Sequence, residues 1–153
     1  MPELTNVTRS SIAILAGRKT DPTAQNRKRT VVIETPATYP APANGDTIAT
    51  GIVLIKGTRL CAGVTLSNAA NAASVTLAVG LRDPITKVAV DATAIMAATA
   101  ITTAQTIQVN TGTRITAGQS YVLPQDCEIY ATIAGATPNA NVAIRVEIDY
   151  VSP

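Results

Sequence analysis

The alternation of aliphatic and polar residues constrains the fold of this chain more than any other sequence feature. From Ser74 to Arg82, every second residue is aliphatic: Val75, Leu77, Val79 and Leu81. The last part of the chain repeats the pattern with Val142, Ile144, Val146, Ile148 and Tyr150. Successive side chains of a strand point to opposite faces, so a period of two predicts strands with one buried face.

Further segments predict strands separated by turns. Residues 60–66, 107–109 and 127–133 alternate in the same way, and residues 31–35, 47–55, 87–90 and 121–123 are less regular candidates. The segments between them are rich in Gly, Asn, Asp and Pro, which favour turns. Only residues 91–99, DATAIMAAT, gather helix formers, so we expect a helix of at most two turns there, capped by Asp91. About eight short antiparallel strands predict an all-β fold, a β-sandwich or jelly roll.

The core of this fold is expected to be aliphatic, because the chain has no Phe, no Trp and only four Tyr. Its predicted members are the aliphatic positions of the alternating segments: Leu60, Val64, Leu66, Val75, Leu77, Val79, Ile129, Ile133, Val142, Ile144, Val146 and Ile148. Burying one Leu or Ile side chain contributes about 1.5 to 3 kcal/mol. With 153 residues, the chain is long enough for one domain with such a core.

The composition also excludes several classes of function. No histidine is present, so a Ser-His-Asp nucleophile and a His-ligated zinc site are absent. The sequence contains no phosphate-binding glycine loop, no calcium-binding loop and no nucleophile elbow. We therefore expect no enzyme, no cofactor and no metal site. The longest aliphatic run, residues 52–55, is far too short to span a membrane, and no export signal is apparent, so we expect no membrane partner.

Two cysteines and two pairs of acids were weighed as reactive groups. Cys61 and Cys127 are expected to be buried free thiols within strands, because a chain without an export signal starts in a reducing compartment. A disulfide, a metal site and a redox role are the alternatives. Asp126 and Glu128 lie two residues apart and so share a strand face, as do the acids at positions 147 and 149. Such pairs can bind a cation or act as acid and base, but a solvated polar face is the expected role.

The net charge of +2 conceals an asymmetry along the chain. Residues 1–30 carry six bases and two acids, whereas residues 31–153 carry six bases and eight acids. Residues 17–30 are polar and have no apolar period, which favours an extended segment. The sequence therefore predicts an extended basic N-terminal arm, residues 1–30, followed by a β-sandwich domain, residues 31–153.

The basic residues of the arm allow three interpretations. They can contact nucleic-acid phosphates, dock on an acidic partner protein, or form a solvated tail. The aliphatic residues of the SSIAILA segment favour docking, since an arm that adds a strand to a neighbour needs apolar side chains. Nucleic acid is disfavoured because the four tyrosines are scattered. The candidate partner-binding residues are Ile12, Ile14, Leu15, Arg18, Lys19, Arg27, Lys28 and Arg29.

Residues 47–83, TIATGIVLIKGTRLCAGVTLSNAANAASVTLAVGLRD, resemble a segment of small head proteins of tailed bacteriophages, the decoration or cement proteins. The similar elements are a strand that ends in the Lys56-Gly57 turn, the strand GTRLCAGVTLS, an Ala/Asn-rich turn and the strand VTLAVGL. The resemblance implies a structural virion protein that binds the capsid exterior, is commonly trimeric, and has the major capsid protein as its partner. It also implies assembly in the host cytoplasm.

Two further expectations concern partners. Small residues on the outward faces of several predicted strands, for example Thr76, Ala78 and Gly80, suit close packing against a neighbouring copy and so favour a homotrimer. The alternative function is a receptor- or glycan-binding module of a phage tail fibre. Sugar sites usually display aromatic platforms, for which Tyr39, Tyr121 and Tyr130 are the candidates.

Overall fold

A computed structural model describes residues 28–116 and 119–153 of the chain. These residues form ten β-strands, and their secondary structure includes no helix. Across the described residues, therefore, no helix offers the length and apolar character that a membrane span requires. The strands are β1 (Lys28–Glu34), β2 (Thr47–Leu54), β3 (Arg59–Leu60), β4 (Val64–Asn68), β5 (Thr76–Arg82), β6 (Ala89–Ala100), β7 (Gln105–Val109), β8 (Tyr121–Val122), β9 (Cys127–Ala134) and β10 (Ile144–Val151).

The strands pair as in a jelly roll. β3 and β4 follow each other along the same side of β10, so together they act as one interrupted strand. On their other side β8 pairs with β3 and β7 pairs with β4, so β7 and β8 form a second interrupted strand. The pairs β1–β10, β2–β9, β4–β7 and β5–β6 are those of one long antiparallel hairpin. Rolling up that hairpin adds the contacts β4–β10 and β5–β9. The predicted all-β sandwich of about eight strands is confirmed.

The two sheets enclose the core between them. Sheet A contains β1, β3, β4, β7, β8 and β10, and sheet B contains β2, β5, β6 and β9. All the predicted core residues are buried, and none is more than 8% exposed. The alternation therefore identified the inner face of each strand correctly, because an antiparallel sheet packed on one side keeps its aliphatic residues on that side.

The predicted strand over residues 60–66 is interrupted. Residues 61–63 form a bulge between β3 and β4, in which Gly63 has a positive φ of 107°. Leu60 pairs with Tyr150 of β10, and Asn68 pairs with Ile144. The register with β10 therefore shifts by two residues across the bulge, because eight steps along β3 and β4 match only six along β10. Both cysteines are free, as predicted, but Cys61 is only half-buried in the bulge, whereas Cys127 is buried at the start of β9.

The predicted helix over residues 91–99 is wrong, because this segment lies within β6. A helix of two turns gains little stability by itself, whereas β6 gains a ladder of hydrogen bonds with β5 and buries Ile95 and Met96 completely. Asp91 does not cap a helix. Its carboxylate accepts hydrogen bonds from the Thr113 hydroxyl at 2.6 Å and the Arg114 guanidinium at 3.0 Å.

The outward face of β5 is already covered by the chain itself. β6 bulges between its pairing with Val79 and its pairing with Leu81, and this brings the carbonyls of Asp91 and Ala92 over Gly80. A Cβ atom at Gly80 would lie 2.5 Å from the Ala92 oxygen. Gly80 is buried and Ala78 is only 9% exposed. The outward face of β5 at Ala78 and Gly80 is therefore not free to pack against a neighbouring copy.

Candidate docking surface

The sandwich has two distinct ends. The turns 55–58, 83–88 and 123–126 lie at one end, together with the start of β1 and the end of β10, and we call it the arm end. Here the Gly57 N–H donates to the Leu123 oxygen at 2.9 Å, and Lys87 reaches the start of β9. The connections 35–46, 69–75, 101–104 and 135–143 meet at the far end, where the Asn71 N–H donates to the Thr102 oxygen at 3.2 Å.

The predicted partner-binding residues divide into two groups. Six of them lie outside the described residues: Ile12, Ile14, Leu15, Arg18, Lys19 and Arg27. Lys28 and Arg29, which were assigned to the arm, belong to β1 and pair with Val151 and Tyr150 of β10. The structure therefore shows where residues 1–27 join the sheet, which is at the arm end.

Lys28 fixes this junction through an ion pair. Its Nζ lies 2.5 Å from Oδ2 of Asp149, and the Thr30 hydroxyl donates to Oδ1 of the same carboxylate at 2.7 Å. The hydrogen bond to Asp149 raises the pKa of Lys28. Burial works to raise the pKa of Asp149, but the bonds from Lys28 and Thr30 outweigh it and lower that pKa. The Lys28 side chain remains 57% exposed, so the start of β1 is both anchored and positively charged.

The turn between β5 and β6 is held by hydrogen bonds to Asp83. Its carboxylate accepts the backbone N–H groups of Ile85 at 2.9 Å and Thr86 at 2.7 Å, and these bonds lower the pKa of Asp83. Its own N–H donates to the Val88 oxygen at 2.9 Å, and the Lys87 N–H donates to the Asp83 oxygen at 3.1 Å. The turn therefore holds two aliphatic side chains in water, with Ile85 88% exposed and Val88 65% exposed.

A buried ion cluster lies beneath this turn. The Arg82 guanidinium donates two hydrogen bonds of 3.0 Å to the Glu128 carboxylate, and Lys87 Nζ lies 2.6 Å from it. Arg82 also lies over the Tyr130 ring, 5.1 Å from its centroid. The bonds from Arg82 and Lys87 lower the pKa of Glu128 to about 2. The expected solvated face is wrong for Glu128, which is 2% exposed.

This cluster has a structural role. A carboxylate with a pKa near 2 is a weak base at neutral pH, and both of its oxygens already accept hydrogen bonds from cations. The neighbouring acid, Asp126, accepts the Lys56 N–H at 2.7 Å. Among the described residues, no group of three or more Cys, Asp and Glu side chains is arranged to hold a metal ion.

The second turn at the arm end is also ordered and apolar. The Lys56 N–H bond to Asp126 and the Gly57 N–H bond to Leu123 fix residues 55–58, and Gly57 adopts a φ of +88° that favours glycine. Ile55, just before this turn, is 57% exposed. Two more exposed aliphatic residues lie close to the arm-end turns, Val53 near the end of β2 and Val122 in β8.

Exposed aliphatic side chains are distributed unevenly over the molecule. Of the eight large ones among the described residues, five lie at the arm end: Val53, Ile55, Ile85, Val88 and Val122. The other three are Val32 in β1, Val90 near the start of β6 and Ile107 in β7, and the connections of the far end contribute none. We call these five residues the apolar patch. Exposed aliphatic groups that cluster on a soluble protein mark interaction sites more often than scattered ones do.

An apolar groove of about 460 Å³ runs between the edges of β1 and β2 towards the far end. Tyr39 lies in its wall and donates its hydroxyl to the Val142 oxygen at 2.7 Å. Tyr130 is only 4% exposed, and Arg114 lies over the Tyr121 ring at 5.3 Å. Buried Tyr130 therefore cannot serve as a glycan platform, and Arg114 covers one face of the Tyr121 ring.

Sequence reasoning missed the apolar patch and the ion cluster. The patch draws on residues from three separate stretches of the chain, which only the jelly-roll pairing brings to one end. One local signal existed, because Ile85 interrupts the otherwise polar turn sequence Asp83-Pro84-Ile85-Thr86-Lys87. The ion cluster had no such signal, since Arg82 and Glu128 lie far apart in sequence and meet only through β5–β9 pairing.

No protein-family model matches the chain, and no curated protein matches it. Solved structures do share its fold. A chain in the capsid of Ralstonia phage GP4 has a TM-score of 0.61 at 19% identity, with 88% of this chain and 90% of that chain covered. A chain in the capsid asymmetric unit of cyanophage Pam1 has a TM-score of 0.58 at 16% identity, covering 83% and 86%. A chain in the acidic stable capsid structure of Helicobacter pylori bacteriophage KHP30 has a TM-score of 0.50 at 17% identity, covering 82% and 88%.

Proposed function

We propose that this chain is a structural virion protein that binds the outer surface of a tailed-phage capsid and stabilises it. The observation that carries the proposal is the jelly roll itself, which is shared over more than 80% of the chain with chains of three phage capsid structures. The resemblance of residues 47–83 to decoration proteins supports the same function from the sequence. The proposed partner is the major capsid protein, and the proposed location is the exterior of the virion, after assembly in the host cytoplasm.

The chemistry of the described residues is consistent with a structural function. Glu128 is the carboxylate whose pKa is shifted most, and both of its oxygens already accept hydrogen bonds from Arg82 and Lys87. It therefore contributes to packing and charge balance. A protein that stabilises a capsid needs no active site, because multivalent placement on a symmetric lattice converts weak contacts into strong attachment. On this basis we propose a non-enzymatic protein that acts as a trimer, with the trimer following from the resemblance alone.

Copy number in purified particles tests this function. The protein is expected at a copy number comparable to that of the major capsid protein, measured by quantitative mass spectrometry of intact virions. A handful of copies that remain with isolated tails would instead favour the glycan-binding module of a tail fibre. Absence from the particle would refute both functions.

We further propose that residues 1–27 form a docking arm that binds an acidic capsid surface. Deleting them is expected to leave the β domain folded, because the described strands pair without them. Binding to heads that lack the protein is expected to fall sharply. Replacing Arg18, Lys19 and Arg27 with Ser is expected to weaken binding less, because Ile12 and Ile14 remain available for strand addition.

Salt separates the two contributions of the arm. The charge contribution fades as the Debye length falls below about 8 Å, whereas the strand contribution persists. Equal binding of the truncated and full-length proteins, measured by cosedimentation with heads, would mean that the arm is a solvated tail. A shift of DNA or RNA in a gel, abolished by the same triple replacement, would favour nucleic acid as the ligand of the arm.

A further inference from the structure

We infer that the arm end of the jelly roll is the face that meets the capsid, and that its apolar patch packs on an outward, acidic and apolar surface of the major capsid protein. This inference rests on the proposed function and adds which face of the domain docks. Three independent features of the described residues carry it: the distribution of exposed aliphatic side chains, the rigidity of the turns that present them, and the distribution of charge.

Exposed aliphatic side chains are concentrated at one end of the sandwich. The arm end exposes five large aliphatic residues, and Ile85 at 88% is nearly as exposed as in an extended chain. The four connections of the far end expose none. An isolated domain gains nothing from concentrating these side chains at one end, whereas a partner that covers them gains the free energy of removing them from water.

The turns of the arm end are preorganised for contact. Asp83 fixes the turn of Ile85 and Val88 by four hydrogen bonds, two through its carboxylate and two through its backbone. Lys87 adopts a φ of +60° within this turn, and its side chain is tied to Glu128 beneath the patch. A turn whose backbone is held in this way loses little conformational entropy when a partner covers it, which favours binding.

The distribution of charge indicates the chemistry of the partner. Among the described residues, the arm end carries six bases and four acids, a net charge of +2: Lys28, Arg29, Lys56, Arg59, Arg82 and Lys87, with Asp83, Asp126, Glu128 and Asp149. The remaining described residues carry two bases and four acids, a net charge of −2. Residues 1–27, which join the sheet at Lys28 of this same end, add four bases and two acids. The arm end therefore combines the apolar patch with the positive charge of the domain, which fits an acidic surface with apolar residues.

The test compares full-length variants at the two ends of the domain. Ile85→Ser combined with Val88→Ser removes aliphatic surface at the arm end without changing charge, and the matched control Thr137→Ser combined with Ala140→Ser alters exposed positions at the far end. Circular dichroism and urea unfolding establish that each variant folds as the wild type does. Affinity for purified heads that lack the protein is expected to fall by about tenfold or more for the arm-end variant and to stay unchanged for the control.

The outcomes are distinct for the two proposals. If the wild type binds heads and the arm-end variant binds equally well, or if only the far-end control weakens binding, the orientation is wrong while the proposed function stands. Light scattering could show that the wild type is an oligomer and the arm-end variant a monomer. If that variant still binds heads with unchanged affinity, the patch joins copies of this chain and the inference is refuted. If the wild type fails to bind heads, the proposed function and the inference fail together.

Discussion

The ion cluster of Glu128 allows a quantitative prediction about stability. Glu128→Gln keeps the shape of the side chain but removes its charge, which leaves the Arg82 guanidinium, 8% exposed, without an anion. Lys87 is 53% exposed and is hydrated instead. The lowering of the Glu128 pKa from 4.5 to about 2 corresponds to about 3 kcal/mol of stability at pH 7. This value agrees with the cost of about 3 to 5 kcal/mol for removing one partner of a buried ion pair.

The stability that the Glu128 carboxylate contributes is expected to decrease as the pH falls. A carboxylate whose pKa is lower in the folded state contributes its full stability above the unfolded pKa of 4.5 and loses it as the pH falls through about 2. The free energies of unfolding of the wild type and Glu128→Gln are therefore expected to differ by about 3 kcal/mol at pH 7, by about 1 kcal/mol at pH 3, and by well under 1 kcal/mol at pH 2.

Urea unfolding followed by circular dichroism at pH 7, 5, 3 and 2 measures this difference. Glu34→Gln is the matched control, because its carboxylate is 60% exposed and lies 3.5 Å from Arg145. Such a surface pair contributes about 0 to 1 kcal/mol, so the control is expected to follow the wild type closely at every pH. A difference between the wild type and Glu128→Gln that stays constant from pH 7 to pH 2 would refute the assignment of this stability to the charged carboxylate.

Three further results are expected. Gly80→Ala should lower the free energy of unfolding by about 1 to 3 kcal/mol, because its Cβ would collide with the carbonyls of β6; an unchanged urea midpoint would contradict this. A thiol reagent should modify half-buried Cys61 in the native protein, but buried Cys127, whose pKa is raised mainly by burial, only after unfolding; equal native rates would be inconsistent with the structure. Ile144→Asp should abolish the strand signal in circular dichroism, whereas Glu147→Lys, on the outward face of the same strand, should retain it.

The sequence was sufficient to predict the core and most of the strands. Val142, Ile144, Val146 and Ile148 alternate with polar residues, and a period of two has one structural meaning when the sheet is packed on one face only. The absence of Phe and Trp required an aliphatic core, and the structure confirms it. These properties are local, because they depend on neighbours within one strand.

Only the tertiary structure decided the conformation of residues 91–99 and the environment of Glu128. Alanine favours helix, but β6 is fixed by its pairing with β5, and a short helix has too few hydrogen bonds to compete with a ladder. Glu128 occupies an outward position of β9, which predicts exposure, yet Arg82 and the turn of Lys87 cover it. Sequence patterns report which face a side chain occupies, but not what else packs against that face.

The apolar patch was decided in the same way. Val53, Ile85 and Val122 belong to different strands and turns, and nothing in the sequence near any one of them indicates that the three share an end. They reach the same end because antiparallel strands of a jelly roll place alternate connections together. Apart from residues 91–99, the sequence determined which segments are strands through local periodicity. Long-range pairing between those strands determined which exposed residues share a surface, and that pairing has no local signature.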